Sequence, residues 1–134
     1  MLIKINEFLR QQKGQALVEM ALIMPILIML LLGIIEFGRI FNAYLIVANG
    51  AREGARAAAV GTTDTGIGMK VFNVSSGLNL SRLSVQISPS ASNRDPGSSV
   101  TVTVRYSVPL VAPFYGLVVS DPFPIVRATT MRVE

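Results

Sequence analysis

One apolar segment limits the possible folds of this 134-residue chain more than any other feature. From Ala16 to Ile35 the chain reads ALVEMALIMPILIMLLLGII, and Glu19 is the single charged residue in it. A helix that crosses a membrane needs about 20 predominantly apolar residues, so this segment is long enough to span a bilayer. A buried core helix is the alternative, but a chain of this size could hardly surround a helix that is apolar on all faces.

The charges that precede this run predict its orientation. Three basic residues stand against the single acid Glu7 before the run, namely Lys4, Arg10 and Lys13. Such an excess favours the cytoplasmic side, so we expect a cytoplasmic N-terminus. A secretory signal peptide also has a basic start and an apolar run. This run is longer than a usual signal core, however, and the bulky, charged exit at residues 33–37 offers no small-residue cleavage site.

Missing residue types exclude several kinds of chemistry. The chain has no Cys and no His, which excludes disulfides, a thiolate nucleophile, a Cys/His zinc site and a histidine general base. The segment Gly61–Lys70 has Ile67-Gly68 where a phosphate-binding loop needs Lys and then Ser or Thr, so we interpret it as a flexible connector. The net charge of +4 comes from scattered basic residues, not from a basic stripe with aromatics. We expect no catalytic residue, metal, cofactor, small-molecule substrate or nucleic-acid partner.

The helical pattern continues beyond the apolar run. Apolar residues recur at spacings of three and four, which predicts one helix over about residues 15–60 that ends at Gly61–Asp64. They include Ile40, Phe41, Tyr44, Leu45, Ala48, Ala51 and Ala55. Gly50 and Gly54 lie four residues apart on one side of this helix, which predicts the close approach of another segment. That segment is either a helix of another subunit or the sheet of the same chain.

The second half of the sequence predicts an α+β fold. Apolar and polar residues alternate at Leu83–Ser88, Val100–Val108 and Ile125–Val133, which predicts a small antiparallel sheet of about three strands, each with one apolar side. The amphipathic second half of the long helix is expected to cover that side. A short helix or turn is predicted at Met69–Val74. The apolar loop at residues 109–118 is interpreted either as a cap over the open end of the sheet or as an edge that binds a partner.

The stretch KGQALVE at residues 13–19 contains the most informative motif. A basic leader ends in Gly14, an apolar helix follows, and Glu19 stands five positions after the glycine. This arrangement resembles a class III-type prepilin signal, in which a membrane-embedded prepilin peptidase cuts after the glycine. Cleavage would make Gln15 the new N-terminus.

Two residues of the apolar run, Glu19 and Pro25, are unusual in a membrane-spanning helix. The Glu19 carboxylate is costly in an apolar setting and should find a partner, which in pilin-like assemblies is thought to be the N-terminal ammonium of a neighbouring subunit. Such a pair would set the register between subunits, whereas the simpler interpretation is a carboxylate that reaches the membrane interface. Pro25 removes the backbone hydrogen bond to Ala21 and should kink the helix, although membrane helices tolerate proline.

The segments QALVEMALIMPILIMLLLGIIEFGR and, at residues 48–61, ANGAREGARAAAVG resemble the TadE-like family. Members of this family are minor pilins or pseudopilins of tight adherence (Flp-type) pilus systems. The resemblance is strong over residues 12–61, whereas residues 62–134 share only the family's general architecture. Met20 departs from the family pattern, in which the residue after the glutamate is usually aromatic.

The resemblance implies a membrane-anchored precursor that is processed by a prepilin peptidase and used in assembly of a type IV-related (Tad/Flp) pilus. It implies a leader at 1–14, a transmembrane and filament-core helix half at 15–36, and an extracytoplasmic domain at 37–134. That domain would comprise an amphipathic helix half at 37–61 and a connector and sheet at 62–134. The protein would cross the bacterial cytoplasmic membrane once and enter the surface pilus after processing. Implied partners are the peptidase, other pilin or pseudopilin subunits, the assembly platform and the lipid bilayer.

The segment that matches the family's signature contains Arg52, Glu53 and Arg56, to which no catalytic role attaches. Glu53 and Arg56 are spaced to pair along the helix, and a solvated or sheet-covering surface is the favoured interpretation. The alternative to the pilin interpretation is an uncleaved single-pass anchor or scaffold with a small extracytoplasmic domain. The two differ in the N-terminus of the mature protein, which is Gln15 for a pilin and Met1 for an anchor.

Overall fold

A computed structural model describes residues 2–113 and 115–134, with side chains from residue 14 onward. The fold is α+β, with a long N-terminal helix and a small antiparallel sheet, which confirms the predicted class. The chain divides into two units, of which the first ends at Glu36 and the second is Phe37–Glu134. The elements in order are α1 (Leu2–Ala59), α2 (Asp64–Val74), β1 (Leu83–Ser88), β2 (Ser99–Val108) and β3 (Phe123–Arg132).

Helix α1 ends where the sequence predicts, because Gly61 takes a left-handed conformation with φ of 80°. The Gly61 N–H donates to the Ala58 carbonyl at 3.2 Å and the Thr62 N–H donates to the Ala57 carbonyl at 3.1 Å, which is the Schellman pattern. The predicted start near residue 15 is wrong, because α1 begins at Leu2. A single glycine at position 14 costs about 1 kcal/mol relative to alanine, which is too little to stop a helix that is already growing.

The first unit exposes its apolar surface. Every residue from 14 to 31 is exposed, including the large side chains of Leu22, Ile26 and Leu30. Within the described residues, α1 from Gly14 to Ala59 is the helix that is long and apolar enough to cross a membrane. An apolar surface of this extent is stable in hydrocarbon and unfavourable in water.

The sheet in the second unit is a meander in the order β1-β2-β3, with both pairings antiparallel. The partners of β2 include Val85, opposite Val104, and Ile125, opposite Tyr106. The predicted β1 is confirmed without change, whereas β2 begins one residue earlier than predicted and β3 is displaced towards the N-terminus by one to two residues. Alternate residues of β2 are buried, namely Val100, Val102, Val104, Tyr106 and Val108.

Small side chains of α1 cover these valines. The buried helix residues of the core cluster include Ala43, Val47, Ala51, Ala55 and Ala58. Phe41 and Leu45 belong to the apolar recurrence that predicts the helix, but both are exposed. Alanines occupy little volume, so the helix backbone can lie close to the sheet, whereas the larger side chains point away from it.

The inner side of β3 is more polar than predicted. Arg127 and Thr129 lie between the apolar Ile125 and Met131 in its alternation, so the expectation of one apolar side per strand is wrong for this strand. The Arg127 guanidinium lies 5.2 Å from the ring centroid of Tyr44 on α1. This cation–π contact gives the charged side chain a partner at the edge of the core.

Helix α2 replaces most of the predicted flexible connector. It begins at Asp64, and its N-cap residue Thr63 accepts a hydrogen bond from the Gly66 N–H to Oγ1 at 3.3 Å. Ile67 and Val71, four residues apart, are fully buried. The helix forms despite its glycines because burial of these two side chains outweighs weak local helix propensity.

Candidate processing and packing sites on the long helix

The candidate processing residues Gly14 and Gln15 lie in an exposed part of α1. Gly14 has no atom within 4 Å of the position that a Cβ would take. Gln15 is exposed, and its Nε2 donates to Glu19 Oε1 at 3.0 Å, one helical turn further along. Among the side chains from residue 14 onward that the structure describes, none therefore packs against Gly14.

Glu19 is exposed in apolar surroundings. Its neighbours Val18 and Met20 are exposed as well, and apolar exposed side chains continue to Leu31. Among the described side chains, the partner of the carboxylate is the neutral amide of Gln15, and no described basic group lies within ion-pair distance of it. A neutral amide satisfies one oxygen but does not neutralise the charge, so this carboxylate would be costly inside hydrocarbon.

Pro25 lies inside α1, which continues on both sides of it. Proline has no N–H, so the carbonyl of Ala21 cannot receive the usual helical hydrogen bond at this turn. The structure places the proline in the exposed apolar segment.

Gly50 and Gly54 allow α2 and the sheet to approach α1. A Cβ at Gly54 would lie 2.8 Å from Val71 Cγ2 and 3.0 Å from Val102 Cγ1. A Cβ at Gly50 would lie 3.1 Å from the Oγ of the buried Ser75. Of the two alternatives that the sequence leaves open, packing against the same chain is the one that the structure contains.

The charged residues of the signature lie on the outer side of α1. Arg52 and Arg56 are exposed. Glu53 is half-buried, and its Oε2 lies 3.9 Å from Nζ of Lys70 on α2, so the ion pair of Glu53 connects two helices. At that distance and exposure it contributes little to stability.

Sequence reasoning missed an ion pair that connects three segments. The buried guanidinium of Arg94 pairs with the Asp64 carboxylate at the start of α2. Arg94 also donates to the carbonyls of Thr62 at 2.9 Å and Pro89 at 3.1 Å. Asp64 accepts the Ala91 N–H at 3.2 Å. The only local signal was an acid in the first turn of a helix, and the turn-rich composition around Arg94 gives no hint of its partner.

The β2–β3 loop exposes apolar side chains. Its base is closed by the Leu110 N–H, which donates to Asp121 Oδ1 at 3.2 Å. Ala112 is buried, whereas Val111 is 72% exposed, and Leu117 and Val118 are each 86% exposed. Ala112 is therefore shielded from solvent, whereas the larger side chains of Val111, Leu117 and Val118 are exposed.

Residues 14–113 and 115–134 contain no group of three or more acidic, His or Cys side chains that could hold a metal ion. Comparison with known families matches residues 14–56 to the TadE-like protein family. No curated protein and no solved structure gives a significant match. The matched segment begins at Gly14 and ends at Arg56, so it includes the processing motif, the apolar run and the signature residues. The resemblance is thereby confirmed over residues 14–56, which match the model of the TadE-like protein family.

Proposed function

We propose that this chain is a minor pilin or pseudopilin of a Tad/Flp pilus, made as a precursor and processed after Gly14. The coarser description, a Tad pilus-related membrane protein, fits the family match together with the apolar helix. The observation that carries the finer proposal is the order of features in one short segment. A basic leader, a glycine, a carboxylate and an exposed apolar helix follow one another without interruption.

Processing is a hydrolysis of the peptide bond between Gly14 and Gln15. Water supplies the hydroxyl for the new Gly14 carboxylate and the proton for the new amine of Gln15. The open surroundings of Gly14 support access by a protease, because none of the side chains that the structure describes covers this residue. The mature N-terminus then carries an ammonium group one helical turn before Glu19.

This ammonium group is the partner that we propose for Glu19 on a neighbouring subunit. Opposite charges a few ångströms apart attract strongly where the effective dielectric is low, but much of that energy repays desolvation. The pair therefore acts mainly on register. A subunit placed one turn too high or too low leaves both charges in hydrocarbon without a partner.

The proposed arrangement in the membrane follows from the two units. Residues 15–36 span the bacterial cytoplasmic membrane, the N-terminus is cytoplasmic because of the basic leader, and residues 37–134 form the extracytoplasmic domain. The proposed partners are the prepilin peptidase, other pilin or pseudopilin subunits, the assembly platform and the surrounding lipid. Pro25 removes one backbone hydrogen bond and weakens its turn of α1, and we propose that this weakness helps the helix leave the bilayer during assembly.

The direct test compares two glycine substitutions in cells that contain the prepilin peptidase. Gly14→Ala and the control Gly38→Ala both have open space for the added methyl, so neither should disturb packing. We expect Gly14→Ala to remain at precursor length and Gly38→Ala to be processed. Normal processing of Gly14→Ala would contradict cleavage at this glycine.

An uncleaved single-pass anchor or scaffold is the second candidate. The observation that favours it is the continuity of α1 through Gly14, which holds the bond after this residue in helical geometry. Cleavage requires this turn to unwind in the peptidase. If the wild-type chain stays at precursor length beside an active peptidase, the anchor function is supported and the pilin proposal is contradicted.

A further inference from the structure

The β2–β3 loop carries an exposed apolar patch formed by Val111, Leu117 and Val118, here termed the 111–118 patch. The loop has no charged residue from Pro109 to Ser120. Single exposed apolar side chains are common on protein surfaces, but three within one uncharged stretch of 12 residues are unusual in a region that faces only water.

The loop holds this patch in a defined shape. The Val118 and Val119 N–H groups both donate to the Tyr115 carbonyl, at 3.0 and 2.9 Å. The Asp121 carboxylate closes the base of the loop through the Leu110 N–H. These hydrogen bonds satisfy backbone groups near the patch, so the loop can enter a less polar environment without leaving those groups unpaired.

The first residue of the loop is bonded to α1 at Arg39, which follows the apolar run by four residues in the sequence. Arg39 Nη2 donates to the Pro109 carbonyl at 3.3 Å, at the end of β2 where the loop begins. Arg39 follows Glu36 by three residues, so even a fully extended chain would separate them by no more than about 11 Å. Next to Arg39 on the helix, the exposed rings of Phe37 and Phe41 stack with centroids 6.2 Å apart. Exposed apolar rings of this kind fit the boundary between the lipid head groups and the acyl chains.

We propose that the 111–118 patch inserts into the interfacial layer of the bilayer that the apolar run spans. This inference rests on the proposed membrane insertion of residues 15–36 and adds a second point of contact. The occupant is lipid because the loop begins at a residue bonded to Arg39, three residues along the chain from the end of the proposed membrane segment, and because the stretch from Pro109 to Ser120 that carries the patch has no charged residue.

The test uses the full chain in vesicles, and the absence of native Cys makes single-cysteine labelling unambiguous. An environment-sensitive fluorophore is attached to Val118→Cys, to Ser92→Cys or to Leu27→Cys. Ser92 is exposed in the β1–β2 turn at the opposite end of the sheet and is the matched control. Leu27, in the apolar run, reports membrane insertion itself. Vesicles of phosphatidylcholine and phosphatidylglycerol with brominated acyl chains quench only labels that reach the lipid.

We expect strong quenching at position 27, several-fold more quenching at position 118 than at position 92, and a shift of the position 118 emission to shorter wavelength. In the Val118→Cys background, Leu117→Asn should reduce the quenching several-fold. Val126→Asn, which alters an exposed apolar residue on the outer side of the sheet, should leave the quenching unchanged.

Each other outcome overturns the inference in a distinguishable way. Quenching at position 27 with equal, weak quenching at positions 118 and 92 would refute the patch insertion and leave the membrane-spanning helix intact. If the labelled variant shows no quenching by lipid and the unlabelled Val118→Cys variant forms disulfide-linked dimers on oxidation by air, the patch would be assigned to a second copy of the chain. The absence of quenching at position 27 would refute membrane insertion, and the patch proposal would fail with it.

Discussion

Arg94 and Asp64 form an ion pair that joins the β1–β2 loop to the start of α2. The Arg94 side chain is only 4% exposed, and two backbone carbonyls accept its remaining hydrogen bonds. One side chain thus connects the end of α1, the first turn of α2 and the sheet. This contact holds the second unit together where local sequence patterns predicted only a connector.

Replacing Arg94 with alanine should destabilise the second unit. The substitution leaves a carboxylate and two carbonyls without their donor, for which we expect a loss of about 2–4 kcal/mol in the free energy of unfolding. Thermal unfolding followed by tyrosine fluorescence measures this unit alone, because its three tyrosines all lie after Glu36. Arg105→Ala, which removes an exposed arginine bonded to Gln86, is the control and should change stability by less than about 1 kcal/mol. Equal losses for both variants would contradict the role of Arg94.

Two glycine-to-alanine substitutions should act in opposite directions. At Gly54 the new methyl would lie within 3 Å of the Val71 side chain, and overpacking of this kind costs about 1–3 kcal/mol. At Gly68 the position of an added Cβ has no described neighbour within 4 Å apart from the helix's own backbone, so alanine should stabilise α2 by about 0.5–1 kcal/mol. Chemical denaturation of the two variants checks the signs. Stabilisation by Gly54→Ala would show that α2 does not pack on α1 as described.

The N-cap at Thr63 tests whether α2 is a helix in solution. Thr63→Ala removes the acceptor of the Gly66 N–H and should cost about 1 kcal/mol. Thr63→Ser keeps an acceptor oxygen and should retain most of the stability. Hydrogen exchange of the Gly66 and Ile67 amides provides the local measurement. Equal exchange in wild type and in Thr63→Ala would argue against the cap.

Two substitutions at Glu19 separate charge from hydrogen bonding. Glu19→Gln keeps the size of the side chain and its ability to bond to Gln15, but it removes the charge that we propose for register. We expect both Glu19→Gln and Glu19→Ala to be inserted and processed, and both to be depleted from isolated pili. Normal assembly of Glu19→Gln would show that the charge is dispensable, and normal assembly of both variants would refute the register proposal.

Local patterns predicted those parts of the fold that local physics determines. The valine and threonine alternation gave β2, because one buried side of a strand imposes a period of two. Gly61 marked the end of α1, since the left-handed cap strongly favours glycine. The start of α1 was missed because nothing in the leader opposes helix growth strongly enough to end it.

Contacts between distant segments account for the remaining errors. Gly66 and Gly68 concealed α2, whose stability comes from burying Ile67 and Val71. The inner side of β3 accepts Arg127 because Tyr44 supplies an aromatic partner from α1. The residues that bury Ile67 and Val71 lie outside α2, and Tyr44, the partner of Arg127, lies outside β3. Local sequence patterns in α2 and β3 therefore could not reveal these contacts.

The most direct test of the proposed function is the intact mass of the wild-type protein purified from membranes that contain the prepilin peptidase. The proposal predicts a polypeptide of the 120 residues from Gln15 to Glu134. Gly14→Ala should give the precursor mass under the same conditions. A wild-type mass that still includes the leader would contradict the account.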